Sequence, residues 1–183
     1  MPTSMLEKED TGLVIVDIQD KLMPVIERRE EITKNIIMLV HLARLFNLPI
    51  LLTEQHSKWL GSTLQEIREV FPDYSPIEKI DFNCCAVDLF NRNLERTRLK
   101  NIILAGVESH ICIMQTCIGL LAKRYQVHIP QDAVGSRKEE NRQVGLELMR
   151  GAGAVITSTE TVIYQILKRG DTKEFREMLK LVK

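Results

Sequence analysis

Apolar residues along this chain fall into two alternating patterns: short continuous runs, and longer stretches in which they recur every three or four positions. Both are clearest in one stretch, Asn101 to Arg124 (NIILAGVESHICIMQTCIGLLAKR). Asn101 to Ala105 is a short apolar run with β-branched residues, which predicts a central parallel strand buried on both faces. Past Gly106, starting from Ser109, the residues Ile113, Thr116/Cys117, Leu120 and Leu121 recur at helical spacing, with Ser109 placed to act as N-cap. A strand therefore turns abruptly into a helix.

The same alternation runs through the rest of the chain. Leu13 to Ile18 is a strand, Glu31 to Asn47 a helix with Ile32, Ile36, Leu39, Val40, Ala43 and Phe46 on one stripe, and Leu48 to Thr53 a second strand. Pro72 and Pro76 make the next region extended and loop-like before a short strand around Ile77 to Ile80. Val87 to Arg96 reads as a helix, Gln126 to Pro130 as a strand, Lys138 to Arg150 as a helix and Ala152 to Thr157 as the last strand. Thr161 to Leu167 and Thr172 to Leu181 read as closing helices. Strand, helix, strand in succession predicts right-handed parallel crossovers, so the expectation is a three-layer α/β sandwich, its parallel sheet covered by helices on both faces.

Composition narrows the class. The 183 residues are 44% hydrophobic, enough for one domain, taken as 1–183, to bury a core without disulfides or metal. Lys plus Arg and Asp plus Glu both number 25, so no basic face is forced and no nucleic-acid or membrane partner is expected. The polar, acidic start (MPTSMLEKEDTG) lacks a signal-like pattern, and no apolar run approaches the roughly 18 to 20 residues that span a bilayer. A cytoplasmic protein is the expectation. Cys84, Cys85, Cys112 and Cys117 include no CxxC pair, which points to reduced thiols rather than a disulfide framework or zinc knuckle.

Three side chains then carry the chemistry. Cys112 falls in the first turn of its helix, where unpaired N–H groups favour a thiolate; the competing reading is a small core residue. Asp17 sits at the end of the first strand, pointing into the crevice where parallel sheets bind ligands; alternatively it caps a turn. Lys79 is flanked by Ile77 and Ile80, and is either a snorkelling surface residue or an ammonium held beside a carboxylate. Together they suit covalent acyl chemistry: Asp17 takes the thiol proton, Lys79 holds charge and Cys112 attacks a carbonyl. The backbone N–H groups of Glu108 and Cys112 are the natural oxyanion donors. The polar stretch Glu54 to Thr63 holds the only Trp and reads as a loop; His56 and Trp59 line a pocket wall or rest on the surface. Glu54 and His56 are too few for a closed metal site, His41 falls in a helix and His128 in a strand. Asp132 reads as a residue that bonds turn amides.

The motifs DIQ (Asp17 to Gln19), KIDFN (Lys79 to Asn83) and GVESHIC (Gly106 to Cys112) resemble those of the isochorismatase-like cysteine hydrolases, in order and at matching separations. LLTEQ at Leu51 to Gln55, QDAVGS at Gln131 to Ser136 and TSTE at Thr157 to Glu160 extend the resemblance over nearly the whole chain. It implies a Rossmann-like sandwich with a six-stranded parallel sheet, an Asp17-Lys79-Cys112 triad, and a non-proline cis peptide at Val107–Glu108. It also favours a homo-oligomer, while the residues themselves suggest a small amide-type substrate cleaved through a thioester, with Gln19, Gln55, His56, Trp59, Phe82 and His110 as candidate pocket contacts. LTEQ and GVE resemble the isochorismatase domain-containing subgroup. Zinc-binding nicotinamidases of the same superfamily use an Asp-x-His motif and a further His; Glu54-Gln55-His56 matches only its first part, so no metal or cofactor is expected. Glu108 and His110 stand where small residues are more usual. A catalytically silent binding protein and an isochorismate-cleaving enzyme are the other readings.

Overall fold

The computed structural model describes residues 5–71 and 74–182; the expectation made for Pro72 lies outside them. In chain order the strands are β1 (Thr11–Val16), β2 (Ile50–Gln55), β3 (Ile77–Lys79), β4 (Asn101–Val107), β5 (Gln126–Pro130), β6 (Val134–Gly135) and β7 (Val155–Thr157). The helices are α1 (Arg29–Leu45), α2 (Ser57–Leu60), α3 (Gln65–Glu69), α4 (Asp88–Glu95), α5 (Met114–Ala122), α6 (Glu139–Gly151), α7 (Thr159–Leu167) and α8 (Lys173–Val182). Six strands form a parallel sheet in the order β3-β2-β1-β4-β5-β7, and the two-residue β6 joins it as a seventh, also pairing β4. From β1 the chain winds first toward β2 and β3, then crosses to β4 on the other side, so the order reverses between β1 and β4. Such a reversal opens a crevice at the carboxyl ends of the strands.

Alternation along each strand explains the two cores. Leu13 and Ile15 of β1, with Leu52, Ile103 and Ala105, pack under α1, α7 and α8. Val14 and Val16, with Leu51, Ile102, Leu104, Val127 and Ile129, pack under α4, α5 and α6. All six β1 residues and all seven of β4 are buried, as continuous apolar central strands require.

Several boundaries differ from the sequence reading for local reasons. β2 starts and ends two residues later than Leu48 to Thr53, because Leu48 N–H still closes α1 by bonding the Ala43 carbonyl. At its far end Glu54 and Gln55 pair with Glu78 and Lys79, so residues read as loop belong to the sheet. β4 runs past Ala105 because Gly106 and Val107 pair with β6. Its Gly106, at φ 124°, passes so close to β1 that a Cβ there would meet the Val16 carbonyl oxygen at 2.1 Å. The last strand starts at Val155 rather than Ala152, whose amide still bonds α6. Ser109 does not cap a helix: Ser109–Ile113 forms a π-helical turn ahead of α5, and the Ser109 hydroxyl donates to the Gly135 carbonyl at 3.0 Å. The short helices α2 and α3 have no counterpart in the sequence reading.

Candidate active site

The ends of β1 and β3 and the turn that follows β4 deliver the site. Asp17 is the first residue past β1 and adopts φ 55°, a left-handed conformation unusual for a residue other than glycine. That turn swings its carboxylate off the strand's end while the Asp17 amide still bonds the Thr53 carbonyl on β2. Lys79 ends β3, and its ammonium reaches Asp17 Oδ2 at 2.7 Å, both side chains fully buried. Cys112 Sγ lies 3.7 Å from the same Nζ. Residues 17, 79 and 112, remote in sequence, thus form one cluster at the switch in strand order. The cis peptide bond is at Val107–Glu108, where the resemblance put it.

The electrostatics differ from the sequence reading in one respect. Cys112 is only 6% exposed. Burial first, and the Asp17 charge second, hold its thiol well above the ordinary range, against a smaller opposing pull from Lys79. Helix-start N–H groups favour a thiolate, but desolvation outweighs them here, so the cysteine rests as a thiol. For Lys79, burial is the largest influence and acts downward, yet the attraction of the Asp17 carboxylate, 2.7 Å away, leaves its pKa raised. Its charge is therefore permanent at neutral pH.

The turn that carries Cys112 is braced from one side. Ser109 bonds Gly135, His110 Nδ1 lies 3.0 Å from the Ser136 hydroxyl, and the Glu108 carboxylate accepts from the Arg137 amide at 2.9 Å and from its guanidinium. These contacts account for Glu108 and His110 in place of small residues: their side chains lash the turn to residues 135–137. Beneath it, Gly145 of α6 approaches so closely that a Cβ would meet Ser109 O at 2.7 Å.

Other expected pocket residues are placed differently. Gln19 is fully buried, its Nε2 donating to the Gln55 and Gly61 carbonyls and its Oε1 accepting from the Gln55 amide. Gln19 is therefore a backbone clamp rather than a wall contact. Gln55 turns inward to Lys79, with Oε1 2.6 Å from Nζ. His56 stacks on Trp59 with ring centroids 4.6 Å apart, and Trp59 and Phe82 are largely exposed. Glu54 is buried and accepts from Thr63 and from the Tyr74 hydroxyl, so Glu54 and His56 face different partners. Among the described residues no group of three or more His, Cys, Asp or Glu could hold a metal ion. Asp132 bonds the Thr159 amide at 2.8 Å, at the start of α7. Ile80, expected to surround Lys79, is 62% exposed; Lys79 is desolvated by tertiary packing instead.

Sequence reasoning missed Thr53 and Cys84. Thr53 Oγ1 donates to Asp17 Oδ1 at 2.8 Å, and Cys84, fully buried with its thiol pushed up to about 12 by burial, lies 3.9 Å from that hydroxyl. Thr53 sits two residues before Gln55, and that spacing was the available signal.

A three-layer parallel α/β fold with a buried carboxylate, ammonium and thiol at its switch point defines a hydrolase-like class. The chain belongs to the isochorismatase family: the Isochorismatase domain model matches residues 11–161. It is 34% identical over 176 residues to the secreted isochorismatase effector Isc1 of Phytophthora sojae, covering 93% of this chain and 83% of that protein. It is 33% identical over 176 residues to mouse isochorismatase domain-containing protein 2A, covering 96% and 84%. Among solved structures, the MAR1 ribonuclease of Caenorhabditis elegans superimposes with TM-score 0.92 at 31% identity, covering 98% and 92%. YcaC of Pseudomonas aeruginosa with hexane-2,5-diol and covalent acrylamide gives TM-score 0.93 at 25% identity, covering 99% and 93%. The Escherichia coli YcaC structure, an octameric hydrolase of unknown specificity, gives TM-score 0.93 at 24% identity, covering 99% and 92%.

Proposed function

We propose that this protein is a cysteine hydrolase that cleaves a small amide-type substrate through a thioester on Cys112. The observation that carries the reading is the position of Lys79 Nζ, 2.7 Å from Asp17 and 3.7 Å from Cys112 Sγ. A thiol at rest needs a base, and Asp17, which shares the Lys79 ammonium with Cys112, is the carboxylate placed to serve as one. Asp17 takes the proton as sulfur attacks the carbonyl carbon. The backbone N–H groups of Glu108 and Cys112 receive the oxyanion, in the turn that the Arg137 and Ser136 contacts brace. Collapse of the tetrahedral adduct breaks the C–N bond, and Asp17 returns its proton to the leaving nitrogen. Water then attacks the thioester, Asp17 takes a proton again, and Cys112 is released as a thiol with the acid product. Lys79 keeps its charge throughout and offsets each negative charge that develops.

The covalent acrylamide on the Pseudomonas relative supports a nucleophile that accepts small amide-bearing electrophiles. The Caenorhabditis relative is described as a ribonuclease; here the net charge is zero and the triad side chains are at most 6% exposed, which favours a small substrate over an RNA strand. Four free thiols fit a reducing, cytosolic setting, and no helix among the described residues is long and apolar enough to cross a membrane. Exposed Trp59, Ile80 and Phe82 support assembly of copies of this chain.

The test is intact-mass spectrometry of the native protein and Cys112→Ala with a panel of small amides, nicotinamide and an RNA oligonucleotide, followed by peptide mapping. A substrate-derived adduct on the native protein alone, at Cys112, is the expected result. Turnover of any amide that survives in Cys112→Ala overturns the covalent mechanism, and cleavage of the RNA alone transfers the assignment to that chemistry.

A further inference from the structure

Alternate residues of a strand share a face, so Thr53 and Gln55 of β2 point to the same side while Glu54 points to the other. The structure obeys this: Glu54 bonds Thr63 and Tyr74, whereas Thr53 and Gln55 both turn to the triad. Building on the cysteine-hydrolase reading, we propose that Thr53 and Gln55 are paired positioning residues, Thr53 aiming the base and Gln55 aiming the cation.

Each contact has a defined polarity. Cys84 Sγ is 3.9 Å from Thr53 Oγ1 and supplies its donor, which leaves the hydroxyl hydrogen directed at Asp17 Oδ1, 2.8 Å away. Lys79 holds the other oxygen, Oδ2, so two donors on two oxygens fix the plane of the carboxylate. On the second residue, Gln55 Nε2 donates to the Ile80 carbonyl at 2.6 Å, and this sets the amide so that Oε1 faces Lys79. Gln19 in turn clamps the Gln55 backbone on both its N–H and its carbonyl.

The chemistry explains why a neutral amide stands there. An ammonium has three hydrogens, and three oxygens lie within bonding distance of Nζ: Asp17 Oδ2 at 2.7 Å, Gln55 Oε1 at 2.6 Å and the Asp81 carbonyl at 3.3 Å. Gln55 and Asp81 satisfy two hydrogens without cancelling charge. The ammonium therefore stays available to the sulfur 3.7 Å away when it becomes a thiolate. A carboxylate at position 55 would occupy the same space and neutralise that help.

The experiment follows acrylamide addition to Cys112 by intact mass and peptide mapping between about pH 6 and pH 9, with thermal unfolding as the control for folding. Thr53→Val slows addition about 10-fold through loss of alignment, and Thr53→Ser, which keeps the hydroxyl, stays within about 3-fold of the native rate. Gln55→Glu slows it about 10-fold at each pH, because a second carboxylate raises the thiol pKa by about one unit. Native rates in both Thr53→Val and Gln55→Glu overturn the proposal. Should Thr53→Val fail to fold, a native rate in Gln55→Glu overturns it alone. If native Cys112 reacts no faster than Cys85, the cysteine-hydrolase reading itself falls, a result visible before any variant of position 53 or 55 is made.

Discussion

Lys79 Nζ and Asp17 Oδ2 are 2.7 Å apart with no solvent exposure of either side chain, and no other ion pair in the described residues is so completely enclosed. Removing one partner strands the other as an unpaired buried charge. Lys79→Met is expected to lose about 3 to 5 kcal/mol of stability in urea titrations. The double variant Asp17→Asn/Lys79→Met regains at least half of that loss while both remain inactive. Native stability in Lys79→Met would mean that Asp17 is not held by this pair.

Asp17 has two opposed influences on Cys112, and one variant separates them by sign. As a negative charge it raises the thiol pKa, so its removal would speed thiol reactions. In the proposed mechanism it is also the proton acceptor during attack, so its removal would slow them. Asp17→Asn is expected to slow acrylamide addition by about 100-fold or more, the usual scale of general-base catalysis. A faster reaction in that variant would remove Asp17 from the role of base.

His128 lies in β5, 1% exposed, and its Nε2 finds no hydrogen-bond partner among the described residues. Burial lowers its pKa from 6.5 to about 4. Between those values the unfolded chain binds a proton that the folded chain does not, so stability falls as pH drops from about 6.5 toward 4 and this contribution levels off below. The loss amounts to about 3 kcal/mol. His128→Leu is expected to flatten that part of the stability curve, as measured by denaturant midpoints at several pH values.

Gly145 is placed in mid-helix, where Ala ordinarily gains roughly 0.5 to 1 kcal/mol. A Cβ at this position would meet Ser109 O, Ser109 C and His110 N at 2.7, 2.8 and 2.9 Å, all backbone atoms of the turn that carries Cys112. Gly145→Ala is therefore expected to lower stability by about 1 to 3 kcal/mol and to slow acrylamide addition as the turn moves. A raised melting temperature with an unchanged rate would show that α6 is free to shift without disturbing the nucleophile.

The sequence by itself determined the layering. Short, uniformly apolar and largely β-branched runs such as Leu13 to Val16 and Ile102 to Ala105 favour strands buried on both faces, and helical spacing in α1 and α6 gives each helix one stripe to lay against them. It also gave up Asp17, Lys79 and Cys112, because a charged or reactive residue at the end of an apolar run is conspicuous, and the motifs around them carried the family. Tertiary structure alone decided the rest. Glu54 and Gln55 became strand only because β3 offered them backbone partners. Gln19 and Gln55 look like ligand-binding amides in one dimension, yet the fold turns both inward, and Thr53 gains its role only from a residue 36 positions away. Whether Cys112 rests as a thiol or a thiolate was likewise not legible, since helix-start N–H groups are a local feature whereas desolvation depends on everything packed around the sulfur. Local periodicity fixes which face of an element is apolar; long-range packing fixes which polar groups meet, and the site's chemistry resides in those meetings.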